Sequence, residues 1–462
     1  MRQLKWVVLL SLCPAVVWGG EIKILSMEEA LQIALTQNRT LKIAQARMKA
    51  SEYGVKDARS AFLPHLASRA TYTRLDQAPY IDASNFGQMF EPLMAPFSDL
   101  VMKGYLNPAT LAGLQGTQVD RIYVGMEDNY DMNLSVEQPL FTGGALRNSY
   151  RIARLNAEIE LWNYRRDEDR VRYEVTEAFL NLIKARELLK VTEESIQRVQ
   201  AHLADLENLH ARGIGIERDL LKAQVRLSNT ELQNIQASNA VKLTNSRLCN
   251  LLSLDLETEV IPAKIPDARV DSLEALPVYA SRALEARPEM RAMDANLLTA
   301  KRLIAIRKGE FLPKLLLMGN YDWKRPNREI ESEFYETWNI GLALSLDLFH
   351  GGSRYYRLEQ AKLALNQIEQ SARLLADGIS LEVRQAYLVA EEAQKTLAIA
   401  DETVLQAEES YRVARESFRA GTATNTDVLD AQNDLSQAQM QRIAAQVDLL
   451  LAQARLVRAS GG

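Results

Sequence analysis

An internal repeat limits the folds open to this chain more than any other feature. Ala61-Phe62-Leu63-Pro64 returns as Glu310-Phe311-Leu312-Pro313, 249 positions later, and Leu140-Phe141-Thr142-Gly143-Gly144 returns as Leu348-Phe349-His350-Gly351-Gly352, 208 positions later. The two offsets differ by one insertion of 41 residues in the first half. Residues 76–120, rich in Pro, Gly, Asn and Asp, fit a loop of that kind. Matches kept in one order predict a tandem duplication.

Each half is expected to contain the same elements in the same order. The first repeat is assigned to residues 20–250, a linker to 251–270 and the second repeat to 271–462. Ser26-x-x-Glu29 and Asp271-x-x-Glu274 are patterns typical of helix capping boxes at the two starts. We expect strands at about 63–75, 121–141, 312–325 and 336–349, long helices at 146–211 and 353–420, and return helices at 218–250 and 427–458.

The long helices are unusual in their length. Arg147 to Arg212 contains neither Gly nor Pro, and 66 residues of helix measure about 100 Å. Apolar residues recur there at heptad spacing, and the second copy has a row of alanines at the same spacing, which lets neighbouring helices approach closely. An ordinary coiled coil is the alternative explanation.

The predicted strands alternate between apolar and polar residues. Asn129 to Glu137 is apolar at even positions and polar at odd ones, and Trp338 to Leu348 repeats the pattern. Four strands of about 10 residues with aromatic residues near their ends are typical of a transmembrane β-barrel, although a soluble β-sandwich also alternates. Four strands cannot close a barrel, and open edges are not tolerated in lipid. We therefore expect copies of the chain to share one barrel: two copies would give eight strands, and three would give twelve and a lumen.

The first residues predict export, and the composition excludes several classes of function. Arg2, Lys5 and an apolar run from Val7 to Val17 indicate a signal peptide at residues 1–19, because the run is too short to span a bilayer. A net charge of −5 argues against a nucleic-acid binder. Four His and a single Cys outside the signal peptide, Cys249, give no disulfide framework or zinc site. No Walker A pattern or nucleophile–base pairing is present, so we expect neither an enzyme nor a cofactor.

The chain resembles the TolC-type outer-membrane efflux proteins, also called outer membrane factors. The resemblance covers nearly the whole mature chain. It rests on the ordered segments Ser26–Leu35, Ser60–Pro64, Pro139–Gly144, Phe418–Thr422 and Asp427–Ala431.

This resemblance implies a mixed α and β fold in a homotrimer: four strands per chain in a 12-stranded barrel in the outer membrane of a Gram-negative bacterium, and a 12-helix coiled-coil α-barrel reaching into the periplasm. It also implies passive conduction in a tripartite efflux or type I secretion system. The partners would be a periplasmic adaptor (membrane fusion) protein and an inner-membrane RND, MFS or ABC transporter. A periplasmic coiled-coil adaptor or scaffold is the alternative reading.

The resemblance further implies functional residues at the helical tips. Asp427 and Asp430 match acidic residues that form a gate constriction, and their spacing places them on one helix face. Asp219 and Phe418 match gate tethers, but Phe418 stands where some members have Tyr, and Ala423 where some have Arg. Asp219 and Asp427 could equally be acids favoured by the helix dipole. The expected adaptor-binding tips are Arg212, Gly213, Ile214, Arg419, Ala420, Gly421 and Thr422, and the expected strand–helix junctions are Gly143, Gly144, Gly351 and Gly352.

Overall fold

The structure, a computed structural model, describes residues 22–82, 95–105, 107–109, 121–214, 216–263 and 272–462. The predicted signal peptide, more than half of the predicted insertion at 76–120, residues 264–270 of the predicted linker, and Asp271 lie outside these residues. The chain divides into two compact units. The first comprises the residues up to Tyr53, Arg154–Ala300 and Ala364–Gly462, and the second comprises Gly54–Ala153 and Lys301–Leu363.

Long helices dominate the chain. The main ones are α1 (Met27–Gln37), α2 (Arg39–Ser60), α3 (Ala145–Ala211), α4 (Glu217–Leu252), α5 (Leu276–Ala286), α6 (Pro288–Gly309), α7 (Ser353–Arg419) and α8 (Asn425–Ala459). Both α3 and α7 contain 67 residues, which corresponds to about 100 Å. Among the described residues, no helix holds a stretch long and apolar enough to cross a membrane.

The strands are shorter and fall into three sheets. They are β1 (Ile22–Leu25), β2 (His65–Arg74), β3 (Tyr80–Asp82), β4 (Arg121–Tyr123), β5 (Asp128–Thr142), β6 (Glu259–Pro262), β7 (Lys314–Arg325) and β8 (Tyr335–Ser345). The pairs β1–β6 and β3–β4 form two small sheets, and the remaining strands form one antiparallel sheet in the order β2-β5-β7-β8. The mixed α and β fold predicted from the sequence is confirmed.

The two predicted capping boxes differ. The Ser26 amide donates to Glu29 Oε2 at 2.8 Å, and the Glu29 amide donates to Ser26 Oγ at 3.2 Å, so α1 starts as predicted. The first helix of the second repeat, α5, starts later than predicted, at Leu276. Its N-cap is Ala275, and a proline lies in its first turn. Proline suits that position because its ring presets φ and the first turn needs no N–H donor. Glu274 instead accepts from Arg282 at 2.8 Å.

Apolar residues of the long helices form the core of the first unit. One cluster joins Phe179 and Leu182 of α3 to Leu248 of α4 and Val447 of α8. A second cluster brings together buried residues of α7 and α8, among them Val383, Ala386, Leu449 and Leu456. The predicted alanine row is buried at Ala393, Ala400 and Ala407. Small side chains at these positions let helix backbones come close.

Two strand boundaries in the second unit depart from prediction. The expected strand at 121–141 is two strands, because β4 pairs with β3 while β5 begins at Asp128 and pairs with β2 and β7. The β5–β7 register shifts between Pro139 and Phe141, where the proline has no N–H for the ladder. At the other edge, β8 ends at Ser345 instead of 349.

The four-stranded sheet has one apolar face and one polar face. Leu66, Val136, Gly319 and Ile340 lie in one row across β2, β5, β7 and β8. The next row, Ala67, Ser135, Asn320 and Asn339, points to the opposite face. On the apolar face of β8 Ile340 is 72% exposed, so this chain alone leaves that face uncovered.

Polar side chains bond to one another across the opposite face. Asn133 donates to Asp322 at 2.8 Å, Asn320 donates to Asn339 at 3.1 Å, and Lys324 lies 3.5 Å from Asp131. Such pairs between neighbouring strands stabilise the sheet and specify its register.

Candidate functional site

The turns α3–α4 and α7–α8 have the same construction. Gly213 and Gly421 adopt φ of 73° and 76°, a left-handed conformation that glycine takes without strain. Ile214 N donates to Leu209 O at 3.1 Å, and Thr422 N donates to Ser417 O at 2.9 Å, as in a Schellman helix end.

All seven predicted tip residues are exposed: Arg212, Gly213, Ile214, Arg419, Ala420, Gly421 and Thr422. Ile214 is 73% exposed, which is unusual for a large apolar side chain. Arg419 Nη2 donates to Asp205 Oδ2 of α3 at 3.4 Å, so this tip residue also contacts the other hairpin. The turns therefore combine a helix stop signal with an accessible surface.

Asp427 lies in the first turn of α8 and takes part in a capping box. The Thr424 amide donates to Asp427 Oδ2 at 2.7 Å, the Thr424 hydroxyl donates to the same oxygen at 2.7 Å, and the Asp427 amide lies 3.3 Å from Thr424 Oγ1. Hydrogen bonds from the Thr424 backbone, and then from its side chain, hold the pKa of the Asp427 carboxyl below its usual range. Asp427 is thus part of the capping box of α8, and its hydrogen bonds favour the charged form of its carboxyl.

The other two acidic residues have different surroundings. Asp430 is exposed one helical turn after Asp427, so the two carboxylates share one face of α8. Asp219 lies in the first turn of α4, with its carboxylate 3.8 Å from Arg218. Its backbone oxygen accepts a bond from Asn425 of α8 at 3.2 Å. Asp219 therefore contacts the hairpin of α7 and α8 through its backbone oxygen.

Phe418 packs against a residue that the sequence reasoning did not select. Its ring lies edge-on to the ring of His202, with 5.1 Å between centroids. His202 is buried in α3, and its Nε2 lies 2.7 Å from Oδ1 of Asn425. Neither His202 nor Asn425 was predicted as a site residue. The signal available in the sequence was a polar residue, His202, next to the apolar heptad positions of α3.

The predicted strand–helix junctions are built differently in the two copies. Gly143, Gly144, Gly351 and Gly352 all have positive φ. A Cβ on Gly143 would lie 2.2 Å from the carbonyl oxygen of Gly309, whereas a Cβ on Gly351 would have no atom within 4 Å. Only the first junction needs glycine for a close backbone approach, and its partner Gly309 was not predicted.

Comparison with known proteins identifies the family. The family model described as outer membrane efflux protein matches residues 108–253 and 279–462, which is most of the chain. This chain belongs to the outer membrane efflux protein family. The resemblance inferred from the sequence motifs is confirmed. The family is one of outer-membrane channels, not of enzymes.

Two named bacterial proteins are similar to the chain in sequence. The alkaline protease secretion protein AprF of Pseudomonas aeruginosa is 25% identical over 274 residues, which are 59% of this chain and 56% of AprF. Protein CyaE of Bordetella pertussis is 22% identical over 365 residues, 77% of this chain and 68% of CyaE. The match thus spans little more than half the length of AprF.

The fold is also similar to solved channel structures. The outer membrane channel CmeC of Campylobacter jejuni superimposes with a TM-score of 0.75 at 19% identity, covering 94% of this chain and 85% of CmeC. These findings together place the protein in the outer membrane of a Gram-negative bacterium, extending into the periplasm.

Proposed function

We propose that this protein is the outer-membrane exit channel of a tripartite efflux or type I secretion system. It conducts substrates passively from a periplasmic adaptor and an inner-membrane pump to the outside. The observation that carries this proposal is a four-stranded sheet with one apolar face and one polar face, whose two edge strands pair with no further strand among the residues that the structure describes. Family membership supports the same conclusion.

The sheet edges support assembly of several copies. Within the described residues, β2 pairs only with β5 and β8 only with β7. Unpaired backbone groups in lipid cost several kcal/mol each, so a membrane sheet has to close. In the proposed homotrimer, β2 of each copy pairs with β8 of the next, which gives a 12-stranded barrel around a polar lumen.

Exposed apolar stripes on the helices support the same assembly. On α4 the side chains of Leu221, Val225 and Leu232 are each more than half exposed, and on α7 so are Leu374 and Leu381. Contiguous apolar stripes of this kind mark surfaces that bind a partner. In the proposed trimer, neighbouring copies cover them in a 12-helix α-barrel, and the tandem duplication makes the two halves of each chain near-equivalent parts of that wall.

Asp427 and Asp430 are proposed as the gate constriction. Three copies would bring six carboxylates around one axis, and a ring of that charge attracts cations and slows anions. The hydrogen bonds from Thr424 lower the pKa of Asp427, which opposes the rise that repulsion between copies would cause. Asp219 and Phe418 are proposed to restrain the gate through the backbone bond from Asn425 and through ring packing.

The exposed tips are proposed as the adaptor contact. The protruding Ile214 offers an apolar anchor, and Arg212 and Arg419 offer charged groups at its rim, the combination that protein interfaces use. The pump would be an RND, MFS or ABC transporter. AprF is named for the secretion of alkaline protease. This name favours type I secretion over tripartite efflux as the system in which the chain works.

Reconstitution tests the function directly. Protein purified in detergent from outer membranes and added to a planar bilayer is expected to produce discrete conductance steps without any nucleotide. Heat-denatured protein at the same detergent concentration is the control. The absence of conductance steps from assembled protein, or its release as a soluble periplasmic protein, would overturn the proposal and favour a coiled-coil adaptor.

A further inference from the structure

A buried polar cluster lies where the two helical hairpins meet beside the tips. His202 of α3 is 6% exposed and Asn425 of α8 is 3% exposed. The His202 Nε2 lies 2.7 Å from Asn425 Oδ1, and Asn425 Nδ2 donates to the backbone oxygen of Asp219 at 3.2 Å. Together with the Phe418 ring, these residues join α3, α4, α7 and α8.

The second bond of Asn425 determines the direction of the first. A carbonyl oxygen such as that of Asp219 can only accept, so the Asn425 amide must turn its nitrogen toward it. The Asn425 oxygen therefore faces His202, and His202 Nε2 carries the hydrogen and donates it. The imidazole and the carboxamide form a directional bond that an apolar pair of the same size would not make.

The same interface remains polar over the next helical turns. The Ser436 hydroxyl donates to Ser195 Oγ at 3.1 Å, and Gln432 Nε2 donates to the Ser195 backbone oxygen at 3.4 Å. Farther from the tips, the α3–α8 contact is apolar, with Phe179 and Val447 in one cluster. Buried polar residues in a helix seam hold one register at some cost in stability, so the tip half is the part that can be released most readily.

The position of Asn425 links this cluster to the acidic residues. Asn425 is the first residue of α8, next to the cap Thr424 and two positions before Asp427. We propose that the His202–Asn425 bond is a clasp that holds the first turn of α8 against α3 and so keeps the gate narrowed. His202 and Asn425 act as positioning residues, and this inference rests on the proposed exit-channel function. Phe418 has no hydroxyl, so its part in the clasp is to pack against His202.

Single-channel recordings of four variants test the clasp. His202→Phe keeps a ring against Phe418 but removes the donor, and Asn425→Ala removes the acceptor. His202→Phe is expected to raise the ratio of high- to low-conductance states roughly fivefold, the factor that one net hydrogen bond supplies. Asn425→Ala is expected to raise it at least as much, because it also removes the bond to the Asp219 backbone oxygen. His202→Gln retains a donor and is expected to stay near wild type. The double variant His202→Phe/Asn425→Ala is expected to equal Asn425→Ala alone, because Asn425→Ala already removes the bond that His202→Phe removes, together with the bond to Asp219.

Lys222→Met is the matched control. It removes an exposed contact from α4 to the first turn of α8, from Lys222 Nζ to Thr426 Oγ1 at 3.3 Å, and is expected to leave conductance unchanged. Each variant is first checked for trimers on unheated gels. If His202→Phe does not assemble, the conductance ratios of Asn425→Ala and His202→Gln are compared instead. The clasp predicts a raised ratio for Asn425→Ala and a ratio near wild type for His202→Gln. Wild-type conductance from Asn425→Ala would overturn the clasp and leave the exit channel intact, whereas a wild-type protein that never conducts would overturn the exit channel itself.

Discussion

The α-carbon of Gly143 faces the carbonyl oxygen of Gly309 so closely that a Cβ on Gly143 would lie 2.2 Å from that oxygen. A clash at that distance cannot be relieved by moving a flexible side chain, because the atom that the Cβ would meet is a backbone oxygen. The turn from β5 into α3 therefore packs backbone to backbone against the end of α6, with no room for a side chain on Gly143.

Gly143→Ala is expected to destabilise the assembled protein more than the matched control does. The methyl group would force the two backbones apart, in addition to the cost of about 1–2 kcal/mol for a non-glycine residue at positive φ. Gly351→Ala is the matched control, because it has the same positive φ and no atom within 4 Å of the added Cβ. The measurement is the temperature at which trimers dissociate on gels. Equal losses in the two variants would contradict the close-approach account.

Substitutions on adjacent residues of β8 test which face of the sheet meets lipid. Ile340→Arg is expected to reduce outer-membrane assembly, because an arginine near the bilayer midplane on the lipid face costs about 2–4 kcal/mol. Asn339→Arg, one residue earlier on the polar face, is expected to assemble normally. Quantification of both proteins in urea-washed outer membranes provides the readout. The reverse ranking would show that the apolar face does not lie in lipid.

The pH dependence of ion selectivity tests the role of Asp427. Its pKa lies below the ordinary value of about 3.9, because Thr424 donates hydrogen bonds to the charged carboxylate. The part of the cation preference that depends on Asp427 should therefore persist to a lower pH than an ordinary aspartate would allow, and should be lost as the pH falls through the lowered pKa of Asp427. Thr424→Val removes the hydroxyl donor and should move this loss to higher pH.

Reversal potentials in a KCl gradient give this measurement. The variant Asp427→Asn/Asp430→Asn serves as the uncharged reference, with weak cation preference at every pH. A Thr424→Val curve that superimposes on the wild-type curve would refute the proposed effect of the cap on the gate.

Gly421 tests the tip as an adaptor contact. Gly421→Val places a β-branched residue at φ of 76° and is expected to distort the turn, so that crosslinks from position 422 to a periplasmic partner are lost while trimers persist. Gly421→Asn is the control, since asparagine tolerates the left-handed conformation. Normal crosslinking and export by the valine variant would contradict the proposal that this tip contacts the adaptor.

Local patterns in the sequence were enough to predict the long helices and the four strands of the largest sheet, but not the start of α5 or the break between β4 and β5. The absence of Gly and Pro from Arg147 to Arg212 predicts a helix, and α3 covers nearly the same residues. The alternation from Asn129 to Glu137 predicts a strand with two unlike faces, and those residues lie within β5. Both signals are local, because backbone sterics and side-chain periodicity act within a few residues.

Contacts between distant segments could not be predicted in the same way. His202 and Asn425 are 223 positions apart, and only the packing of α3 on α8 brings them together. Heptad spacing shows which face of a helix is buried but not which helix covers it. Gly309 gave no signal, because its role depends on where the β5–α3 turn lies. The helix predicted to start after Asp271 begins at Leu276 instead, with a proline in its first turn.

The mass of the complex solubilised in a mild detergent tests the central claim most directly, since a four-stranded sheet with two free edges has to be completed by other copies. Native mass spectrometry is expected to give three copies of the chain, with crosslinks between β2 of one copy and β8 of another. A single copy that stays dissolved after the detergent is removed would contradict the account.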